Sequence, residues 1–133
     1  MQNHYSLLRR DDDAEVLPLS RERGLGYVPY FPLESGLLTG KYRRNEPPPA
    51  GARISDPEDA RLAEERLSRV EALEASAAAH GHTLLELAIG GLASTPGIAS
   101  VIAGATAPEQ VRANAVAGDW ELAEAELEEL ATL

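Results

Sequence analysis

Two short segments combine glycine with groups that suit the binding of an anion. In the first, Gly104 and Thr106 follow an apolar run and precede Pro108, a residue that often begins a helix. A buried strand, a glycine turn and a helix start bring several backbone N–H groups together, and phosphate binds readily at such a place. The alternative is an ordinary turn in which Gly104 relieves crowding and Thr106 caps the helix.

The second segment runs from Ser35 and Gly36 to Gly40 and Lys41, the only lysine of the chain. A lysine beside exposed loop N–H groups is a common phosphate ligand. The segment is not a Walker A loop, because the G-x-x-x-x-G-K-[ST] pattern is absent and Tyr42 follows the lysine. The alternative is a solvated lysine at the end of a plain loop.

Other candidate side chains lack partners at useful spacing. Tyr30, at the end of a predicted strand, offers a flat face for stacking on a ring, or it packs half-buried against a helix. His4, His80 and His82 show no metal-ligand spacing with carboxylates, so we predict no metal site. The motifs G-x-S-x-G, H-E-x-x-H and G-x-G-x-x-G do not occur. We therefore predict no complete catalytic set.

Composition narrows the classes of protein and partner. The 133 residues are enough for one domain with a core, and they carry 12 basic against 22 acidic residues for a net charge of -10. Such an acidic surface disfavours nucleic acid and anionic membranes. No apolar run approaches the ~18–20 residues of a membrane span. There is no cysteine, which excludes disulfides and thiolate chemistry. We expect a cytoplasmic protein.

The elements that must position these residues alternate between strands and helices. Apolar and β-branched residues predict strands within 1–8, 26–33 and 98–105. A short helix begins near residue 14 and either breaks at Pro18 or reaches Arg23. Residues 34–42 form a structured loop or one helical turn, and the proline-rich residues 43–57 form a mobile loop. Further helices are predicted over 58–79, from 83, where Thr83 and Glu86 make a capping box, from 108, and over 123–130. This order is typical of parallel α/β units.

The strings QNHYSLLRR, YFPLESGLLTGKY, SVIAGATAPEQVRAN and DWEL together resemble the C-terminal half of the aldo-keto reductases. The branch that the chain resembles comprises bacterial reductases related to the potassium-channel beta subunits. The resemblance covers residues 1–133 and implies an α/β fold, namely part of a (β/α)₈ TIM barrel. The predicted strands would be the sixth, seventh and eighth of that barrel, with their helices. The resemblance also implies NADPH as the cofactor.

The family's cofactor ligands map onto this sequence residue by residue. By resemblance, Gln2 holds the nicotinamide amide and Tyr30 stacks on its ring. Arg53 lies at the adenosine end, and Arg53 and Thr106 favour NADPH over NADH, a choice that the sequence leaves open. The pyrophosphate loop and the group at the 2′-phosphate and adenine complete the predicted site: Pro32, Leu33, Ser35, Gly36, Leu38 and Lys41 for the loop, and Gly104, Thr106, Gln110 and Asn114 for the group.

Several positions depart from the family's usual pattern, and two of these departures bear on the site and on helix stability. Glu34 adds a negative charge to the pyrophosphate loop, and Gly90 and Gly91 stand where an alanine-tryptophan pair is frequent. Two glycines in a helix interior cost roughly 1 kcal/mol each relative to alanine.

The family's catalytic aspartate, tyrosine, lysine and histidine match nothing in this chain, and Lys41 already matches a cofactor position. We therefore expect the C-terminal portion of a reductase that converts an aldehyde or ketone to an alcohol, without catalysis by this chain alone. The alternative is a non-catalytic dinucleotide-binding or oligomerisation module, or an inactive remnant.

Three parallel strands expose an edge, which predicts self-association or pairing with the missing N-terminal half of the barrel. A closed barrel needs ~250 residues.

Overall fold

A computed structural model describes residues 1–133. Five α-helices and three short 3₁₀ turns carry most of the regular structure, and none of the helices is both long and apolar enough to cross a membrane. The helices are α1 Val16–Glu22, α2 Glu64–Ala79, α3 Leu84–Ser94, α4 Pro108–Ala117 and α5 Glu124–Ala131, and the 3₁₀ turns are Asp11–Asp13, Glu34–Thr39 and Ala60–Leu62.

The three predicted strands are wrong as regular strands, because each is reduced to isolated bridges. His4 and Ile102 each form a parallel bridge with Tyr30, and Tyr27 forms one with Ile98. The middle segment contains Pro29 and Pro32, which have no N–H to donate, so its ladder is interrupted where the neighbouring segments lie alongside.

The three segments nevertheless lie side by side in chain order and run parallel. The N–H of Tyr30 donates to the carbonyl of Asn3 at 3.0 Å, and the N–H of Ile102 donates to the carbonyl of Pro29 at 3.1 Å. Parallel segments place their carboxyl ends at one edge. The residues after Tyr30 and after Ile102 therefore leave the pairing in the same direction.

Helix α1 reaches Glu22, with Pro18 in its first turn, where a missing N–H costs little. Gly24 follows at a φ of 64°, the left-handed conformation that glycine adopts without strain beyond a helix end.

Helix α2 begins six residues later than the sequence pattern predicts. The side chain of Asp59 accepts the N–H of Arg61 at 2.8 Å and starts a separate 3₁₀ turn, and the extended backbone of Ala63 divides that turn from α2. The predicted apolar stripe is otherwise confirmed, because α2 buries Leu67, Val70, Leu73 and Ala77.

Helix α3 starts at the predicted capping box. The hydroxyl of Thr83 accepts the N–H of Glu86 at 3.2 Å, and the carboxylate of Glu86 accepts the N–H of Thr83 at 2.7 Å. The helix is buried on most sides, and the chain turns at Pro96 and Gly97 after it ends. Its buried residues are Leu84, Leu87, Ala88, Ile89, Gly90, Gly91 and Leu92.

Residues 43–57 contain turns and irregular backbone, and several of them are held against their surroundings. Arg43 pairs with Glu74 on α2, and Arg44 pairs with Glu64 and Glu71. Ile54 is buried. The mobility of this loop stays a prediction.

Candidate functional site

Tyr30 occupies the centre of the candidate site, because its segment is bridged on both sides. Tyr30 is 37% exposed, and its ring stacks on the His4 ring with centroids 5.6 Å apart. Phe31 meets the Tyr30 ring edge-on at 5.7 Å. Gln2 lies exposed on the first segment, between the Met1 and Asn3 carbonyls that accept the N–H groups of Val28 and Tyr30. The structure therefore brings the predicted Gln2 and Tyr30 onto paired segments.

The loop after Tyr30 turns sharply through left-handed backbone. Glu34, Ser35 and Gly36 have φ values of 47°, 58° and 94°, and the first two are unusual for residues with a side chain. Leu38 and Pro32 are buried, which anchors the loop to the core, and Leu33 is partly buried.

Some backbone donors of this loop are already used within it. The N–H groups of Gly36 and Leu38 both donate to the carbonyl of Leu33, at 2.8 and 3.2 Å. The side chains of Ser35 and Lys41 are therefore the groups that the loop most readily offers to an anion. Lys41 is exposed, and its Nζ lies 5.5 Å from the centroid of the Tyr42 ring.

Two residues that sequence analysis missed support this loop. Arg61 donates to the Ser35 hydroxyl at 3.1 Å and pairs with Asp59, and this bond with Arg61 holds the pKa of the Asp59 carboxyl at about 2. The Tyr42 hydroxyl accepts the N–H of Ile54 at 3.1 Å. The sequence pattern predicts a long helix that includes Arg61 and gives no signal of its contact with Ser35. Arg53 is exposed.

Glu34 is the other departure from expectation at this loop. Its side chain is 8% exposed, and its carboxylate lies 2.7 Å from His4 Nε2, 2.8 Å from the Ser6 hydroxyl and 3.0 Å from Arg66 Nη2. The predicted extra negative charge is therefore paired inside the protein. Sequence spacing carries no signal for this cluster, because its members lie about thirty positions apart.

The segment from Gly104 to Thr106 forms a compact turn into α4. Gln110 Oε1 accepts the N–H of Thr106 at 2.8 Å and its hydroxyl at 3.2 Å, and Asn114 donates to the carbonyl of Gly104 at 3.4 Å. The structure thus brings together all four residues predicted here. Thr106 does not cap α4, whose N-cap is Ala107.

The glycine in this turn is not there to relieve crowding within the chain. A Cβ built on Gly104 would meet no atom within 4 Å. The Thr106 N–H is already satisfied by Gln110, so an anion at this turn would have to displace that side chain or bind beside it.

The sequence model of the aldo/keto reductase family matches residues 1–133. An NADH-specific methylglyoxal reductase of Escherichia coli (strain K12) is 37% identical over 95% of this chain and 39% of its own length. A probable voltage-gated potassium channel subunit beta of Arabidopsis thaliana is 36% identical over 89% of this chain and 38% of its own.

A third relative is an L-glyceraldehyde 3-phosphate reductase of Escherichia coli O157:H7, 30% identical over 85% of this chain and 34% of its own length. The chain thus spans less than two fifths of two of these relatives and about a third of the other. Because the family model matches every residue from 1 to 133, the chain belongs to the aldo/keto reductase family.

Proposed function

We propose that this chain is the C-terminal portion of an NADPH-dependent aldo/keto reductase and carries much of its cofactor site. The observation that carries the proposal is the parallel pairing of Tyr30 with both His4 and Ile102. This pairing directs the Lys41 loop and the Gly104 turn towards one edge. In (β/α)₈ enzymes the ligands bind at the carboxyl ends of the strands, and we propose that the three segments are strands six to eight of such a barrel.

The chemistry of this edge fits a dinucleotide. Tyr30 presents a partly exposed ring for stacking. Lys41 presents an exposed cation beside a left-handed turn, and the open space around Gly104 lets a ligand approach the backbone closely. Tyr30 lies on the paired backbone, and the Lys41 loop and the Gly104 turn follow that backbone along the chain.

Each predicted residue has a part in this proposal. Gln2 would hold the nicotinamide amide and Tyr30 its ring, while Arg53 would lie at the adenosine end. The pyrophosphate would be held by Pro32, Leu33, Ser35, Gly36, Leu38 and Lys41, and the 2′-phosphate and adenine by Gly104, Thr106, Gln110 and Asn114.

A reduced nicotinamide, when bound, supplies the hydride that converts a carbonyl to an alcohol. The residues of this chain bind and orient that cofactor. Proton donation in carbonyl reduction needs an acid with a tuned pKa. Lys41 binds the pyrophosphate in this proposal and therefore does not serve the catalytic acid. We therefore place the catalytic acid, and the selection of the aldehyde or ketone, outside these 133 residues, in an intact cytoplasmic enzyme.

The preference for NADPH over NADH is a separate part of the proposal. Arg53 and Thr106 would bind a 2′-phosphate, which only NADPH carries. One relative is by its name NADH-specific, so the two cofactors must be compared directly. Tighter binding of NADPH that is lost in Arg53→Ala would support the preference, and equal affinity for both would contradict it.

Calorimetric titration of the purified chain with NADPH tests the proposal. We expect saturable binding that weakens on the order of tenfold in Lys41→Ala, because a charge-assisted hydrogen bond contributes about 1.5–3 kcal/mol. Arg23→Ala is the matched control, since it removes one positive charge at an exposed position next to Gly24. A well-folded chain that binds no NADPH would contradict a cofactor role for this portion.

A second candidate is a non-catalytic module that associates with itself or with a partner half. Phe31 and Ile102 are 48% and 46% exposed, and Ile102 lies on an outer bridged segment, where a complete barrel would continue. Light scattering coupled to chromatography distinguishes a monomer from an associated species. A dimer or larger species would favour association, and a sharp monomer peak would contradict it.

A further inference from the structure

An open polar cleft of about 450 Å³ lies between the loop that follows the first bridged segment and the first turns of α2. Four guanidinium groups and only two carboxylates line it, in a chain whose net charge is -10. The cleft is thus locally positive on an acidic protein. Its lining consists of Leu8, Arg9, Arg10, Asp11, Glu34, Arg66 and Arg69.

Arg66, one of the lining residues, has an N–H donor without a partner. It donates through Nη2 to Glu34, whereas its Nε is buried and has no hydrogen-bond partner. A buried N–H without an acceptor is costly and calls for an explanation such as a bound ion or water. Both oxygens of Glu34 are occupied, by His4 and Ser6 on one side and by Arg66 on the other, so this carboxylate does not consume the remaining donors.

Arg69 lies one helical turn after Arg66 and faces the same cleft. Its Nη1 and Nη2 donate to the carbonyls of Leu8 and Leu7, both at 3.3 Å. These bonds are long for N–H to O contacts and leave three of its five donors available. The bonds also fix the guanidinium against the loop that carries Arg9 and Arg10.

The loop supplies the opposite wall. Arg9 pairs with Asp11 at 3.2 Å, although both side chains are largely exposed, so the pair is easily broken. Arg10 is more firmly held, because its Nε donates to the Asp13 carboxylate and its Nη1 donates to the carbonyl of Leu130. Two cationic pairs therefore face each other, one on the loop and one on α2.

We propose that this cleft binds the phosphate group of a small phosphorylated molecule, at a site that shares no residue with the proposed cofactor site and adjoins its loop through Glu34. Guanidinium groups recognise phosphate through several parallel N–H donors. Donors on two walls suit a tetrahedral anion, whose oxygens point in different directions, better than a carboxylate, whose two oxygens share one edge. The proposal goes beyond the cofactor role, because none of the four arginines belongs to the proposed NADPH site.

Nuclear magnetic resonance of the arginine Nε–Hε groups, with inorganic phosphate as the probe at constant ionic strength, tests the site. We expect a saturable shift of the Arg66 resonance. In Arg69→Gln and Arg9→Gln the phosphate affinity should fall about tenfold. Arg23→Gln, the exposed control outside the cleft, should leave it unchanged. Arg9→Gln changes only an exposed pair, so a loss in that variant cannot be ascribed to unfolding.

Three results would overturn the proposal. The first is no saturable shift of Arg66 in a chain that is folded by circular dichroism. The second is binding of acetate as tight as that of phosphate, which would show that charge alone is recognised. The third is displacement of phosphate by NADPH, which would make the cleft part of the cofactor site. Loss of NADPH binding in Lys41→Ala with phosphate binding retained would support two independent sites.

Discussion

The side chain of Lys41 folds back across the α-carbon of Gly36. A Cβ built on Gly36 would lie 2.5 Å from Lys41 Cε and 2.7 Å from Lys41 Nζ, well inside van der Waals contact. The glycine also has a φ of 94°, which residues with a side chain rarely adopt. The first glycine of the loop and the lysine at its end are therefore one structural unit, and the position of the cation depends on the missing side chain at Gly36.

The first prediction is that Gly36→Ala displaces Lys41 and weakens NADPH binding. The added methyl group occupies the space of Cε and Nζ, and the end of a lysine side chain moves at little cost in stability. We expect NADPH affinity to fall on the order of tenfold, as in Lys41→Ala, together with about 1–2 kcal/mol of destabilisation from the left-handed backbone. Calorimetric titration and urea unfolding measure the two effects.

Gly24→Ala is the matched control for this variant. Gly24 also has a positive φ, 64°, but a Cβ there would meet no atom within 4 Å. The control should lose similar stability while its NADPH affinity stays unchanged. Equal affinities in the two variants would contradict the proposed link between Gly36 and Lys41.

The second prediction is that Gly90→Ala destabilises the chain, against the helix propensity of alanine. A Cβ on Gly90 would lie 2.7 Å from the carbonyl oxygen of Trp120 and 3.1 Å from that of Ala117. Both are backbone atoms, so relief requires α3 to move away from the end of α4 and from the residues that follow it. Overpacking costs typically 1–3 kcal/mol, which outweighs a propensity gain of about 1 kcal/mol. Urea unfolding followed by the fluorescence of Trp120, the only tryptophan, measures the sum.

Gly91→Ala distinguishes the effect of packing on stability from the effect of helix propensity. Its Cβ would lie 3.0 Å from Leu130 Cδ2, the end of a side chain that can rotate. We expect this variant to be close to neutral. If Gly90→Ala proves more stable than the parent chain, the close approach of Trp120 does not govern α3.

Sequence patterns predicted the helices far better than the strands. The capping box at Thr83 and the proline that starts α4 are local signals, and local backbone chemistry suffices to form them. The paired segments depend instead on contacts between residues far apart in the chain. Pro29 and Pro32 break the pairing there, so apolar composition overstated its regularity.

The same difference between local signals and long-range contacts applies to the candidate site. The turn from Gly104 to Asn114 was predicted from neighbouring residues and the family resemblance, and the structure brings these residues together. The pairing of Glu34 with Arg66 and the contact of Arg61 with Ser35 were not predicted, because these partners come from distant elements. No periodicity in a single sequence reports which carboxylate becomes buried.

The third prediction concerns the buried Glu34. Replacing it with alanine leaves Arg66, His4 and Ser6 without their acceptor, which costs about 1–3 kcal/mol. Glu34→Gln retains an acceptor oxygen and should lose less. Glu64→Ala, which breaks an ion pair with Arg44 at an 82% exposed side chain, should cost well under about 1 kcal/mol. Chemical unfolding of the three variants ranks them, and equal losses for Glu34→Ala and Glu64→Ala would contradict a stabilising role for the buried cluster.

The fourth prediction is a loss of stability at alkaline pH that originates at two tyrosines. Burial is the larger cause that raises the pKa of both hydroxyls, and a hydrogen bond to a carboxylate is the second cause. Tyr27 donates this bond to Asp12, and Tyr5 donates it to Asp13. In the unfolded chain a tyrosine loses its proton near pH 10, whereas the folded state keeps it, so unfolding releases protons above about pH 10. The free energy of unfolding should be constant with respect to these groups below that pH. Above it, each tyrosine should lower that free energy by up to about 1.4 kcal/mol per pH unit.

Urea unfolding between about pH 9 and 11 measures the slope, and Tyr27→Phe and Tyr5→Phe should each remove part of it. A parent chain with no decline above about pH 10, or a decline that both variants keep in full, would show that these buried phenols do not control the alkaline limit.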